Sequence, residues 1–520
     1  MIEVQGYDGA VVTPHVLSTQ AGMEALDRGG SAVDAAIAAN AVQGMVAPET
    51  CGIGGDLFAL IFTDGEVTAV NSSGWAGSKV SADLLRDEGL TSIPQHHPAA
   101  VTVPGCVAGW FALHERHGRL PMAGLLKRAI ELGRDGFPAS TEYHRASTRM
   151  AEFLAEHEAG AQLLTEGRPA RGGERVRRPN LAATLERIGE EGAYAFYGGS
   201  VAAAISAAVG GLITPEDVAT YTPLWVDPIG LEVFGVTGWT IPPNSQGYLT
   251  LATLRIFEEL TPTLDPGDPR WTHLLVEAYR VVAAERDDMV ADPAHAPLAP
   301  DRLLDPDRLT KMARTLSLDA VTRRSTPTLT PGGTMFMCAV DGDGLGISLI
   351  ESNFRGIGSG LGAGDSGFIL HDRGGGFDLR PGHPNEIGPG KRPLHTLAPT
   401  LWTDDSRLRA VLGTRGGYQQ PQLLAQVAAL MFAAGRSPGE AQHAPRWTVA
   451  HRGEAVTDVD LEPELSTEIV DGLAARGHDV RIQTGRMPGW GPVSVIDIDG
   501  SGLRTGAADP RVDTASAAVR

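Results

Sequence analysis

Apolar residues recur at helical spacing from His15 to Arg28 and again from Ala32 to Val46. Gly29-Gly30 between them supplies a stop, and Ser31 supplies a cap for the second helix. The pattern then changes period. Cys51-Gly-Ile-Gly-Gly-Asp56 leads into a strand over Leu57–Phe62 and a hairpin through Asp64-Gly65. Amphipathic helices follow over Pro121–Arg134 and Pro179–Glu191, and a long one over Trp271–Asp288 with Asp292-Pro293 beyond its end. Residues 295–333, rich in Pro, Thr and Arg, read as a loosely packed connector. Alternating residues from Thr334 to Asp341, a Gly-Asp-Gly turn and an apolar run from Leu345 to Ile350 predict a second hairpin. A glycine-rich stretch, Gly356–Gly390, is broken by a short apolar run at Gly367–Leu370. A helix over Gln420–Ala434 and strands near 480–484 and 493–498 close the chain. Strand pairs alternating with long helices predict stacked sheet and helix layers.

Thr334 stands where this pattern becomes chemical. It opens a strand directly after Pro331-Gly-Gly333, in a segment without regular periodicity. Thr is common in strands, and Pro-Gly-Gly-Thr also precedes ordinary hairpins. The alternative is specific, however. A cut before Thr334 would give its own hydroxyl an α-amine as general base.

Composition narrows the partners. The 520 residues carry a net charge of -20 with a pI near 5.2, which disfavours nonspecific attraction to nucleic acid or an anionic membrane. Hydrophobic content of 42% and mean hydropathy of -0.07 describe a globular chain long enough for two or three domains, or one large layered one. No stretch approaches a membrane span, and Met1–Gly6 lacks a basic region followed by an apolar one, so a cytoplasmic protein is expected. Cys51, Cys106 and Cys338 form neither a disulfide framework nor a metal motif. The adjacent His96 and His97 have no third ligand at a recognisable spacing, so no metal is expected. The Cys51–Gly55 loop precedes a strand and lacks a P-loop lysine, which favours close backbone packing over phosphate binding.

Motifs along nearly the whole chain resemble the γ-glutamyltransferase family of N-terminal-nucleophile hydrolases. They are Gly29–Ala36, Cys51–Gly55, Val103–Gly109, Tyr279–Pro293, Thr334–Asp341, Gly390–Pro399, Leu412–Gly417, Ala441–Trp447 and Asp509–Arg511, in family order. The resemblance implies an α+β fold, a four-layer αββα sandwich, made as a precursor cleaved at Gly333–Thr334. The products would be residues 1–333 and 334–520, folded as one intertwined unit. It implies Thr334 as nucleophile, with Ser352 holding its amine or hydroxyl, and Gly416 and Gly417 as oxyanion donors. His395 and Thr396 take the place of a substrate-contacting serine pair. No cofactor is implied.

Two departures touch the γ-glutamyl grip. Where the family places an arginine for the substrate carboxylate, this chain has Ser73, and no arginine lies between residues 63 and 85. Where the family places an acid for the ammonium, it has Gly376. Serine cannot reproduce the bidentate charged grip of arginine. Met335 also replaces the second threonine of the usual pair. Arg355, Arg373 and Arg415 bring new positive charge close in sequence to the site, and each is a candidate carboxylate anchor or an ordinary ion pair.

The expected function is therefore a self-processing threonine hydrolase acting on a small oxo-acid-like (oxamate or oxalyl type) acyl group. The motifs around Ser348–Phe354, Pro381–Pro384 and Lys391–Thr396 resemble the oxamate amidohydrolase-like branch of the family. The alternatives are a γ-glutamyltransferase or glutathione hydrolase, a carbon–carbon bond hydrolase, a cephalosporin-acylase-like amidase and a non-processing scaffold. The expected partners are a small anionic substrate and the two pieces of the precursor. An acidic surface is compatible with anything from a monomer to a tetramer.

Overall fold

The computed structural model describes residues 3–156, 158–260, 263–324, 332–449 and 457–520. Residues 325–331, the part of the 295–333 connector nearest Gly332, lie outside the described residues.

Two seven-stranded sheets form the centre, with every strand pair in them antiparallel. One runs, in spatial order, Ser516–Val519, Ala10–Thr13, Gly333–Val340, Gly346–Phe354, Asp56–Thr63, Glu66–Ser72 and Leu224–Val226. The other runs Glu3–Gly6, Arg504–Ala507, Val493–Ile498, Arg407–Thr414, Thr400–Asp404, Val236–Thr240 and Ile229–Val233. Both sheets draw strands from either side of the Gly333–Thr334 bond.

Side-chain parity assigns the layers. In the Thr334 sheet, Phe58, Leu60, Phe336, Cys338 and Ile350 point toward the second sheet and fill the inter-sheet core. Their neighbours Leu57, Ala59, Met335, Met337 and Leu349 point the other way, into a core shared with helices Val16–Asp27, Ala32–Val46 and Met122–Asp135. Trp402, Ala410 and Leu412 of the second sheet pack on helices Tyr248–Leu260, Pro269–Ala283 and Gln420–Ala428. The order is helices, sheet, sheet, helices, which is the expected αββα sandwich.

Local signals translate well. Ser31 and Asp34 form a reciprocal capping box that starts the helix at Ala32. Three expectations are corrected. The helix expected over Trp271–Asp288 starts at Pro269, because the Asp268 carboxylate caps the Arg270 N–H, and it ends at Ala283 before a short turn at Arg286–Met289. The connector is not loose throughout. Pro300–Leu303 and Pro306–Ala313 are helical, and Leu303 and Leu309 bury themselves in the outer helical core. The Gln420 helix is α only to Ala428 and continues as a π turn over Ala429–Ala433.

Candidate active site

On the inter-sheet face, the apolar layer ends in a polar row. Thr334, Ser352 and Asp56 occupy inward-facing positions near the same end of three adjacent strands, with Ser352 directly opposite Asp56. All three are buried. The row exists because each strand carries a polar residue near this end at the parity its apolar residues share.

The bonding around Thr334 is directional. The Ser352 hydroxyl donates to the Gly333 carbonyl oxygen at 2.6 Å, and the Phe354 N–H donates to the same hydroxyl oxygen at 2.8 Å. Thr334 Oγ1 lies 3.0 Å from Ser352 Oγ, whose only proton is already engaged, so Thr334 is the donor of that pair. Phe354, across the strand pair from Gly333, is held at a φ of 75°, a strained value for a side-chain-bearing residue.

Gly416 and Gly417 follow the Arg407–Thr414 strand with φ values of 125° and 56°. Only glycine adopts the first without strain. A side chain on Gly332 would lie 3.1 Å from the Gly417 Cα, so this loop packs directly on the residues before Thr334. Gln246 fastens the loop by donating to the carbonyls of Gly417 and Thr396 at 3.1 and 3.0 Å.

Asp56 organises a buried cluster beside this row. It bonds His395 Nε2 at 2.8 Å, accepts the Gly74 N–H at 2.9 Å, and lies 3.3 Å from His371 Nδ1 and 3.6 Å from Arg373 Nε. Burial opposes the Asp56 charge, but the two histidines outweigh it and hold the carboxyl well below the usual range. His395 is pushed down to about 3, by burial first and then by Arg373. It is therefore neutral at ordinary pH. Arg373 donates to Thr396 Oγ1 at 3.2 Å and stacks 4.1 Å over the Phe354 ring.

A cleft of about 620 Å³ opens at the Gly332–Gly333 backbone. Glu49, Glu142, Arg145, Arg149, Arg355 and Arg415 line it. Arg355 sits 4.9 Å from the centre of the same Phe354 ring and 3.8 Å from Asp372. Arg415 stands in an ion pair. Its guanidinium is engaged by both oxygens of Glu142, at 2.9 and 2.6 Å, and by the carbonyls of Pro488 and Gly491, so it is a wall of the cleft rather than a free carboxylate anchor. Ser73 is not among the cleft residues. Its hydroxyl is buried against Asn71 at 2.6 Å and Asn244 at 3.2 Å.

The glycine-rich loop before Asp56 acts through close packing. A side chain on Gly54 would meet the Ile369 carbonyl at 2.2 Å, and one on Gly55 would meet Glu351 at 2.5 Å. Among the described residues, no group of three or more His, Cys, Asp or Glu is placed to hold a metal ion. His96 instead meets the Ser359 carbonyl, and His97 meets Glu88. No described helix is long and apolar enough to cross a membrane.

Residues 18–519 match the family model for gamma-glutamyltranspeptidase. The chain belongs to the γ-glutamyltranspeptidase family. Its relatives within that family differ in what they are named for. The chain is 34% identical to the glutathione hydrolase-like YwrD proenzyme of Bacillus subtilis, covering 99% of both chains. It is 33% identical to the oxamate amidohydrolase proenzyme of Klebsiella pneumoniae, covering 98% of both. Among solved structures, it superposes on cephalosporin acylase from Bacillus halodurans with a TM-score of 0.93 at 30% identity, covering 100% of this chain and 97% of that one. It is thus a γ-glutamyltranspeptidase-family enzyme with the N-terminal-nucleophile hydrolase fold.

Sequence reasoning missed Asp56 as a site residue, and also Gln246, His371, Glu49 and Glu142. The Asp56 signal was present, since a charge opens an otherwise apolar strand. The others carry no local mark.

Proposed function

We propose that this γ-glutamyltranspeptidase-family chain cleaves itself between Gly333 and Thr334 and then hydrolyses a small oxo-acid-like acyl group, of oxamate or oxalyl type, from an amide. The observation that carries the nucleophile is the Thr334–Ser352–Gly333 hydrogen-bond chain. Thr334 Oγ attacks the Gly333 carbonyl carbon while its proton moves through Ser352 toward the departing nitrogen. The C–N bond breaks, leaving an ester at Thr334 Oγ and a free α-amine. Water then hydrolyses the ester to a Gly333 carboxylate and the Thr334 hydroxyl.

In the processed enzyme the α-amine, with a reference pKa of about 7.7–8.0, takes the Thr334 proton during attack on substrate. Gly416 and Gly417 N–H groups stabilise the oxyanion. The pieces 1–333 and 334–520 stay together because each contributes strands to both sheets. The small-acid reading is supported by the buried, already bonded Ser73, by Gly376 where an acid would be needed, and by Arg355 at the cleft. The oxamate amidohydrolase relative supports it too. A cytoplasmic location is part of the proposal.

The glutathione hydrolase-like relative favours a second reading, γ-glutamyl hydrolysis. Denaturing intact mass of wild type and Thr334→Ala tests the nucleophile, with two fragments expected in the first and one chain in the second. Turnover of oxamate over a γ-glutamyl anilide then tests the substrate. Preference for the anilide would replace the first reading with the second.

A further inference from the structure

Glu49 is a buried acid without an assigned task. It lines the cleft next to the scissile segment, and its own carbonyl packs on Gly333, where any side chain would meet it at 2.3 Å. One carboxyl oxygen, Oε2, is buried with no hydrogen-bond partner among the described residues. Such an oxygen is costly unless something pairs with it. The Gly332–Gly333 backbone that lines the cleft beside it is the stretch whose end is released by cleavage before Thr334.

We propose that Glu49 is a further substrate-contacting residue, whose Oε2 donates a hydrogen bond to the anionic end of the acyl donor once Gly333 is released. This rests on the reading of Thr334 as nucleophile, but not on which acid is the substrate. A carboxyl can donate only as the acid, and the surroundings favour that form. Burial foremost pushes Glu49 up to about 8; its own backbone N–H opposes this, Glu142 adds to it, and Arg415 and Arg178 oppose it. Tyr143 also faces it, and His96, Arg145, Arg149 and Arg355 share the cleft. A neutral donor in a cleft that Arg355 also lines receives an anion without repelling it.

The test is the pH profile of kcat/KM for wild type, Glu49→Gln and Glu49→Ala, each first shown by intact mass to be processed. Oxamate and a γ-glutamyl p-nitroanilide are both assayed. Wild type should lose about tenfold in kcat/KM per pH unit above pH 8, through KM. Glu49→Gln, which donates at every pH, should lose that alkaline fall. Glu49→Ala should raise KM at least tenfold at pH 7 while moving kcat less. An alkaline fall that survives in Glu49→Gln overturns the proposal, as does a wild-type KM in Glu49→Ala. If Glu49→Ala does not fold, the Glu49→Gln profile decides alone. Turnover of the anilide without oxamate would overturn the oxo-acid reading while leaving the Glu49 profile legible on the anilide.

Discussion

The Ser352 hydroxyl points at the Gly333 carbonyl oxygen from 2.6 Å, so the bond expected to break is already polarised in the intact chain. The same hydroxyl oxygen accepts a hydrogen bond from the Thr334 hydroxyl, which leaves the Thr334 lone pairs outside that contact. Ser352→Ala should slow self-cleavage by at least tenfold, and up to about 10²–10³-fold if the contact acts as an oxyanion donor. Ser352→Thr should recover part of the rate. A time course of intact mass measures both, and unchanged cleavage in the alanine variant would remove Ser352 from the mechanism.

Acid should destabilise the protein through Asp56 and His395 together. His395 is lowered to about 3 in the folded state, so the unfolded chain binds its proton first, and stability falls as pH drops from about 6.5 toward 3. Asp56 is also lowered, so its contribution is present above the unfolded carboxylate range and is lost on acidification. The two effects share a sign. His395→Gln, which keeps a donor for Asp56 and cannot protonate, should flatten the dependence of urea midpoint on pH between 6.5 and 4.

Arg415 and Glu142 should behave as structure. Arg415→Ala would leave Glu142 without its bidentate partner, and burial already opposes that carboxylate while Arg415 holds it below its ordinary range. A loss of about 2 kcal/mol in unfolding free energy is expected, between the values for an exposed and a fully buried pair, because Glu142 stays partly exposed. The Arg415→Ala/Glu142→Ala double variant should lose less than the sum of the singles. A large KM effect with unchanged stability would instead make Arg415 a substrate anchor.

Gly416→Ala should reduce turnover more than it reduces folding. Its φ of 125° strains any side chain, and relief of that strain turns the loop and its N–H groups. A drop in kcat of about 10²-fold is expected with the melting temperature shifted by only a few degrees. Equal loss of both would assign the glycine to folding alone.

Sequence by itself determined what depends on neighbours along the chain. Ser31 and Asp34 lie three residues apart and suffice to start a helix, and alternation over Thr334–Asp341 suffices to make a strand whose parity faces Thr334 inward. Motif order sufficed for the family and hence for the sandwich. Short strands such as Ala10–Thr13 and Ser516–Val519 escaped, because four residues carry too little period to distinguish them from loop.

Only the tertiary structure decided which charges meet. Asp56 reaches His371, Arg373 and His395 across more than 300 residues of chain, and Glu142 claims Arg415 across 273. No local pattern encodes such pairings, because an ion pair depends on distance and burial rather than on period. That is why three arginines that looked equivalent in sequence separate into a cleft residue, a buried cluster member and a structural pair.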